Sequence, residues 1–239
     1  MVEKGSFILL EYTLSVKDTG ELVDTTNEEE ARRAGIYSER ERYGPRLIIV
    51  GEGRLLPGVE KALEAMEVGE EKTVEIPPEE AYGARDPSKV KILPRNVFIR
   101  QGVVPEPGKT VEIDGKYATI RQVTGGRVVV DFNHPLAGKT LLARLKIIKL
   151  LENIEEKAKH LFLRRVPQLD DDDIQVEVDD STLKIGLNDK ALRIADLQLA
   201  KALFVKEVEK YLPEVRRIVF IESISTKGSS EKPSQEEKE

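Results

Sequence analysis

From Phe7 to Val16 apolar and polar positions alternate, placing Ile8, Leu10, Tyr12, Leu14 and Val16 on one face of a half-buried strand. Asp18-Thr19-Gly20 supplies a turn, Glu21 to Thr25 (ELVDT) begins a second strand, and Arg46 to Val50 (RLIIV) forms a third. The charged stretch between them, residues 26–43 (TNEEEARRAGIYSERERY), has room for one or two helical turns and is read as a surface loop. At Pro57 the period changes. Proline's fixed φ and missing N–H suit a helix start, and Val59, Ala62, Leu63 and Met66 then make one apolar stripe, with Glu60, Lys61, Glu64 and Glu67 facing water and Gly69 closing the helix. From Lys72 the period returns to two, with Val74 and Ile76 opposite Thr73 and Glu75, until Pro77-Pro78 ends the strand and Tyr82-Gly83 follows in a loop.

Beyond Gly83 the pattern is again strand-like at Lys89–Leu93 (KVKIL), Thr110–Asp114 (TVEID), Tyr117–Val123 (YATIRQV) and Arg127–Phe132 (RVVVDF). Asp114-Gly115 and Gly125-Gly126 provide hairpin turns, and a short helix is expected over Arg95–Gln101, so this segment forms a small β domain. Leu141–Leu150 (LLARLKIIKL) is a further strand. A last unit follows: a helix over Ile154–Arg165, the acidic run Asp170–Asp173, a hairpin from Ile174–Val178 and Thr182–Ile185, a long helix over Ile194–Leu212 and a strand over Arg217–Ile224. The long helix has an apolar side of Leu197, Ala200, Leu203, Phe204 and Val208, more than a domain of this size is expected to cover alone. Residues 226–239 are polar and nearly free of apolar side chains, so they are expected to be a disordered tail.

Composition narrows the classes. The chain has 239 residues, no cysteine, and 44 acidic against 38 basic side chains for a net charge of −6. Disulfides, thiol catalysis and thiolate metal sites are excluded, and the acidic balance argues against a general nucleic-acid binder. No apolar run reaches the length of a membrane span and no export signal opens the chain, so a cytoplasmic protein is expected. Charged residues at 34% are a mix common in heat-adapted proteins.

The literal residues from Val50 to Gly83 (VGEGRLLPGVEKALEAMEVGEEKTVEIPPEEAYG) resemble the heart of an FKBP-type peptidyl-prolyl cis/trans isomerase, with Tyr12 and Val23-Asp24 matching the family's first two strands. A minimal domain of that family returns to its last strand soon after the Tyr-Gly pair, whereas here about fifty residues intervene. They end in VVVDFNHPLAGKTL, Val128–Leu141, which resembles the return from the insert-in-flap domain of the long SlyD-like, archaeal type. The resemblance covers Val2 to about Leu151. It implies an α+β protein: an FKBP-like antiparallel half-barrel sheet with a short helix (residues 1–85 and 137–151), an inserted chaperone-like β domain (86–136), and a C-terminal α/β domain (153–225).

Rotation about a prolyl peptide bond meets a barrier of roughly 18–20 kcal/mol and breaks no bond. An apolar pocket lowers it by withdrawing water from the dipolar planar amide, while a few polar groups orient the neighbouring carbonyls, so no metal or cofactor is required. The resemblance implies Tyr12, Asp24 and Tyr82 as the catalytic set, with Leu14, Val23, Ile48, Leu55, Leu56, Val59, Leu136 and Ala143 binding substrate. Val59 is implied as the floor beneath the prolyl ring, the Leu56 N–H and the Tyr82 hydroxyl as donors to substrate carbonyls, and Asp24 as a charge that tunes the site. Where the family often has Trp and two aromatics, this chain has Val59, Val23 and Ala143, implying a wider, more aliphatic pocket and weakened macrolide binding. Val97, Phe98, Ile99, Val103 and Val104 are the insert's apolar candidates for gripping extended chains.

The resemblance implies unfolded or nascent polypeptides containing X-Pro as partners; the apolar side of the long helix leads to the expectation of a homodimer through the C-terminal domain, and no membrane or nucleic-acid partner is expected. The alternatives are a holdase with a vestigial prolyl pocket, which would outlive loss of Tyr82 and Asp24 but not of the insert, and an adaptor binding a ribosome through its C-terminal unit. His134 either edges the prolyl site or is a turn residue bonding backbone, the second reading being preferred, and His160 is placed on a solvated helix. Two isolated histidines make no metal site, and the Asp170–Asp173 run lacks the spacing of a calcium loop and is read as a solvated connection.

Overall fold

A computed structural model describes residues Val2–Ile224; the expected tail, residues 226–239, lies outside the described residues. In chain order the elements are β1 (Phe7–Val16), β2 (Leu22–Thr25), α1 (Glu28–Ala34), β3 (Arg46–Ile49), α2 (Pro57–Glu64), β4 (Glu71–Ile76), β5 (Val90–Pro94), α3 (Arg95–Arg100), β6 (Thr110–Ile113), β7 (Lys116–Thr124), β8 (Arg127–Asp131), β9 (Leu141–Leu151), α4 (Ile154–Leu163), β10 (Ile174–Asp179), β11 (Thr182–Leu187), α5 (Asp189–Leu192), α6 (Leu197–Tyr211) and β12 (Arg217–Glu222). They form three sheets: one ordered β2-β1-β9-β4 with β3 also paired to β1, one ordered β5-β8-β7-β6, and one ordered β10-β11-β12. The chain divides into two compact units, one holding Tyr12–Thr25 and Gly51–Lys146, the other Glu3–Glu11, Thr26–Val50 and the chain from Ile147 onward.

In the first unit, α2 lies against β4. Gly58 makes that approach possible, since a Cβ there would stand 2.6 Å from Ile76 Cγ2, and Ile76 is itself buried. The helix ends at Glu64, earlier than Gly69, because Ala65 and Met66 already turn back onto the carbonyls of Ala62 and Leu63, which leaves Met66 fully buried. The inserted sheet has its own core of Phe98, Val111, Ile113, Ala118, Ile120, Val128 and Val130. Phe98, expected on the peptide-binding surface, is therefore a core residue with no exposed area: α3 turns it inward over the sheet.

In the second unit, residues 26–43 are more than a loop. Asn27 caps α1 by accepting from the Glu30 N–H, Gly35 ends it in the left-handed region, and Ala31 is buried beneath it. Phe7, Leu47, Ile49 and Leu151 share one apolar cluster with α4, α6 and the β10–β12 sheet, including Leu161, Phe162, Leu183, Ile185, Leu197, Ala200, Phe204 and Val208. Leu197, Ala200, Phe204 and Val208 of the apolar side of α6 are thus covered within the chain, Leu203 is half-buried, and Phe162, Phe204 and Phe220 meet in the cluster. Strands β11 and β12 run parallel, with α6 as the crossover. His160 is half-buried rather than solvated, and that burial, only partly opposed by Asp171, lowers its pKa. The acidic run is not loose either: Arg42 donates to Asp171 and to the Leu169 carbonyl, while Lys190 bridges Asp170 and Asp173.

Two outcomes follow. Gly58→Ala forces α2 off β4 and lowers stability by about 1–3 kcal/mol, read as a shift in urea midpoint. Asp173 is held down to about 2, first by the Asp170 N–H and then by Lys190. Its contribution to stability is complete above the unfolded carboxylate value of about 4 and is lost as pH falls towards about 2, so Asp173→Asn flattens the acid limb of a stability–pH curve.

Candidate active site

β1 and β2 build one wall. Their register sets Leu14 opposite Asp24 and Thr13 opposite Thr25, and the two threonine hydroxyls lie 2.9 Å apart. On the face bearing Leu14, the Tyr12 hydroxyl donates to Asp24 Oδ2 at 2.6 Å. Tyr12 and Leu14 are buried, whereas Val23 and Asp24 are half-buried, so the carboxylate sits at a boundary between apolar interior and solvent. A carboxylate at such a boundary is costly without hydrogen-bond donors, and Tyr12 supplies one.

The loop before α2 builds a second wall. Leu56 is the N-cap of α2 and its carbonyl accepts from the Val59 and Glu60 N–H groups. Leu55 and Leu56 are half-buried, and Val59, one turn in, is buried. Glu60 does not simply face water: its carboxylate accepts from the N–H groups of Gly51, Gly53 and Leu55 at 2.6, 3.0 and 3.4 Å. One acidic side chain thereby fixes the loop that presents Leu55 and Leu56. Its signal in the sequence is an acidic residue in the first turn of a helix preceded by a Gly-rich loop.

Tyr82 closes the set. Burial, and secondarily the charge of Asp24, push its phenol pKa up, so it keeps its proton as a donor at neutral pH. Its ring stacks on that of His134, centroids 4.3 Å apart and planes 1° apart. His134 Nδ1 accepts from the Leu136 N–H at 3.1 Å. His134 therefore bonds backbone in a turn, the preferred reading, and its ring also lies against Tyr82. Leu136 is half-buried, and Ala143, opposite Val74 on β4, is fully buried. Ile48 lies opposite Ile8 on β3, buried, in the second unit. The structure thus brings Tyr12, Leu14, Asp24 and Tyr82 together directly. Val97 and Val103 are half-buried against the insert's core, while Ile99 and Val104 are exposed. Ile92 and Tyr117, 63% and 72% exposed, join them as insert residues that the sequence pattern did not single out.

The arrangement is a tyrosine donating to a carboxylate, with the buried Val59 side chain and a second, protonated tyrosine in the same unit. Comparisons with known proteins give the family. Residues 1–99 match the model of the FKBP-type peptidyl-prolyl cis-trans isomerase family, residues 91–136 the FKBP26 IF domain and residues 154–225 the FKBP26 C-terminal domain. A short-type peptidyl-prolyl cis-trans isomerase of Methanocaldococcus jannaschii is 41% identical over 147 residues, covering 62% of this chain and 92% of that protein. The chain belongs to the FKBP-type peptidyl-prolyl cis-trans isomerases. Its SlyD-like character is seen in the SlyD isomerase of Treponema pallidum, 32% identical over 160 residues, 65% of this chain and 81% of that one. The FKBP-type 16 kDa isomerase of Escherichia coli K12 is 30% identical over 154 residues, 62% and 93% of the two chains. For this isomerase, Glu60→Ala releases the Gly51–Leu55 loop: amide exchange at Gly51, Gly53 and Leu55 accelerates by the equivalent of about 1–3 kcal/mol while β1 and β9 amides are unchanged.

Proposed function

We propose that Tyr12, Asp24 and Tyr82, with the Leu56 N–H, are the polar groups of the prolyl site, and that the insert gathers unfolded or nascent X-Pro-containing chains for it. The Tyr12–Asp24 bond beside a phenol that retains its proton is the observation that supports this most. The prolyl ring rests on Val59, among Leu14, Val23, Leu55, Leu56 and Leu136, while Ala143, with no exposed surface, contributes only through packing. The Leu56 N–H and the Tyr82 hydroxyl donate to substrate carbonyls, removing the need for water there. The planar amide is more dipolar than the twisted one and loses more on leaving water, so the barrier falls. Asp24 accepts no proton in this scheme; its charge, held by Tyr12, favours the arrangement of dipoles at the twisted amide. Exposed Ile92, Ile99, Val104 and Tyr117 give the insert apolar purchase on extended segments. That client class implies a cytoplasmic setting.

Two copies are further proposed to associate through the C-terminal unit. With the apolar side of α6 already covered, the surface concerned is instead Leu199, Ile221 and Ile224, all exposed. Lys201 donates to Glu222, which sets the start of α6 beside the end of β12, an edge strand of its sheet. A monomer by light scattering across a wide concentration range overturns this.

The test of the site is catalysed cis/trans exchange of an X-Pro tetrapeptide. Tyr82→Phe lowers kcat/KM about two- to tenfold, the worth of one hydrogen bond. Ile99→Ser with Val104→Ser lowers catalysis of proline-limited protein refolding by a larger factor than catalysis on the tetrapeptide. Equal losses on both substrates would sink the collecting role of the insert, and no effect of Tyr82→Phe would sink the role of Tyr82.

A further inference from the structure

The chain leaves the isomerase sheet at the end of β4, Ile76, and rejoins it at the start of β9, Leu141, so the insert is joined to that sheet by two linkers that carry Gly83 and Gly138. These are not free linkers. The Gly138 N–H donates to the Gly83 carbonyl at 2.9 Å, and the Phe132 N–H donates to the Lys89 carbonyl at 3.0 Å. Between these two rungs Asn133 uses its side-chain amide like a strand partner: Oδ1 accepts from the Asp86 N–H and Nδ2 donates to the Asp86 carbonyl, both at 2.9 Å. Gly138 has φ +76° and a Cβ there would lie 3.2 Å from Arg85 Cβ, so the two linkers approach as closely as a glycine allows.

At the centre is Asp131, with no exposed surface. Its carboxylate accepts from Arg85 on the outgoing linker, from Arg121 on β7, and from both the N–H and the side-chain Nδ2 of Asn133 on the returning one. Burial alone would raise its pKa; the Asn133 donors, Arg121 and Arg85 outweigh burial and hold it below the usual carboxylate range. A buried carboxylate with four donors ties together the segments that carry them, because losing any one leaves part of a buried charge's hydrogen-bonding capacity unmet. The next residue after Asn133 is His134, whose ring lies flat on Tyr82.

We propose that this neck is a positioning element for the isomerisation, in which Asp131 fixes Asn133, Asn133 fixes His134, and the His134 ring holds the Tyr82 hydroxyl in place beside Asp24. It rests on the role given to Tyr82 above. Neither Asp131 nor His134 touches the reacting amide in this scheme; both act through Tyr82. The consequence is that a force or a bound chain that pulls on the insert is felt at the prolyl site through a short bonded path: Asp131, Asn133, His134, Tyr82.

The test uses the full-length protein and a tetrapeptide too short to span the insert, so that client capture does not contribute. His134→Ala lowers kcat/KM by about the factor lost in Tyr82→Phe, with an unchanged urea midpoint, and His134→Phe, which restores a flat ring, recovers most of it. The Tyr82 phenol, followed by its ring-carbon NMR signal, titrates lower in His134→Ala as the exposed ring regains water. Asp131→Asn gives the same direction of change. The deciding comparison is a double-mutant cycle: His134→Ala adds nothing in a Tyr82→Phe background if it works through that hydroxyl. Full additivity in the cycle, or wild-type kcat/KM in a folded His134→Ala variant while Tyr82→Phe is impaired, overturns the positioning role and leaves the reading of Tyr82 intact. An unimpaired Tyr82→Phe overturns both.

Discussion

A half-buried carboxylate bonded to a buried tyrosine is the constraint around which the β1–β2 wall is arranged. A carboxylate taken partly out of water is costly unless donors replace the water it loses. The Tyr12 hydroxyl at 2.6 Å supplies the needed donor, and the rest of the first wall serves to keep that donor in place. The β1–β2 register sets Leu14 opposite Asp24, and the facing hydroxyls of Thr13 and Thr25 pin the adjacent rung. The same charge then reaches Tyr82, adding to burial in keeping its phenol protonated. One carboxylate thus acts on two tyrosines, on Tyr12 through a hydrogen bond and on Tyr82 through its charge.

The second constraint is topological. The strand that completes the sheet, β9, arrives only after the inserted sheet has been built, so the site has to close across an interruption. Closing a longer loop is only modestly more costly in entropy than closing a short one. What a long insertion loses is definition of where its two ends lie. The bonded neck between Gly83 and Gly138 restores that definition, and it does so with groups of opposite character: a buried carboxylate at the top and a flat aromatic pair at the base. The insert has a core of its own, separate from these linkers, so the neck's bonds are additional to those that hold the inserted sheet together.

Much of this was legible before any coordinates. Period and punctuation were enough for the start of α2, for β4 and for the four strands of the insert, which Pro, Gly or Asp-Gly bound, while in the β10–β11 hairpin the alternation of IQVEV and TLKI around Asp179-Asp180-Ser181 sufficed. What failed to show were features carried by polar side chains reaching over a distance. Glu60 looks like any charged residue on the wet face of a helix, and only the return of the Gly51–Leu55 loop gives it three N–H groups to hold. Asp131 sits in an alternating strand where a polar residue suggests solvent, and its burial depends on Arg85, distant in sequence. Phe98 was misplaced because a six-residue helix has too little periodicity to tell its inner side from its outer. In α1, a charged sequence hid a well-capped helix whose single buried side chain is an alanine.

The C-terminal unit shows the same limit at the scale of a domain. Taken alone, some seventy residues bury little, and a helix as apolar as α6 suggests a missing partner. The partner is the chain's own beginning. Phe7 and Leu9 on β1, and Leu47 and Ile49 on β3, pack into the cluster of α4, α6 and β10–β12, and Phe7 meets Tyr211 edge to face with centroids 6.1 Å apart. The signal is present in hindsight: Phe7-Ile8-Leu9-Leu10 and Leu47-Ile48-Ile49-Val50 are unbroken apolar runs, and strands covered on both faces read that way where half-buried strands alternate. Alternation dominates β1 only from Glu11 onward, where polar Glu11, Thr13 and Ser15 interleave with Tyr12, Leu14 and Val16. The strand therefore changes its pattern along its length. Its first residues belong to the core that α4 and α6 complete, and removing those helices would expose Phe7, Leu47 and Ile49 on the N-terminal strands. A unit attached that way contributes to the stability of the strands that precede it, whatever else it binds.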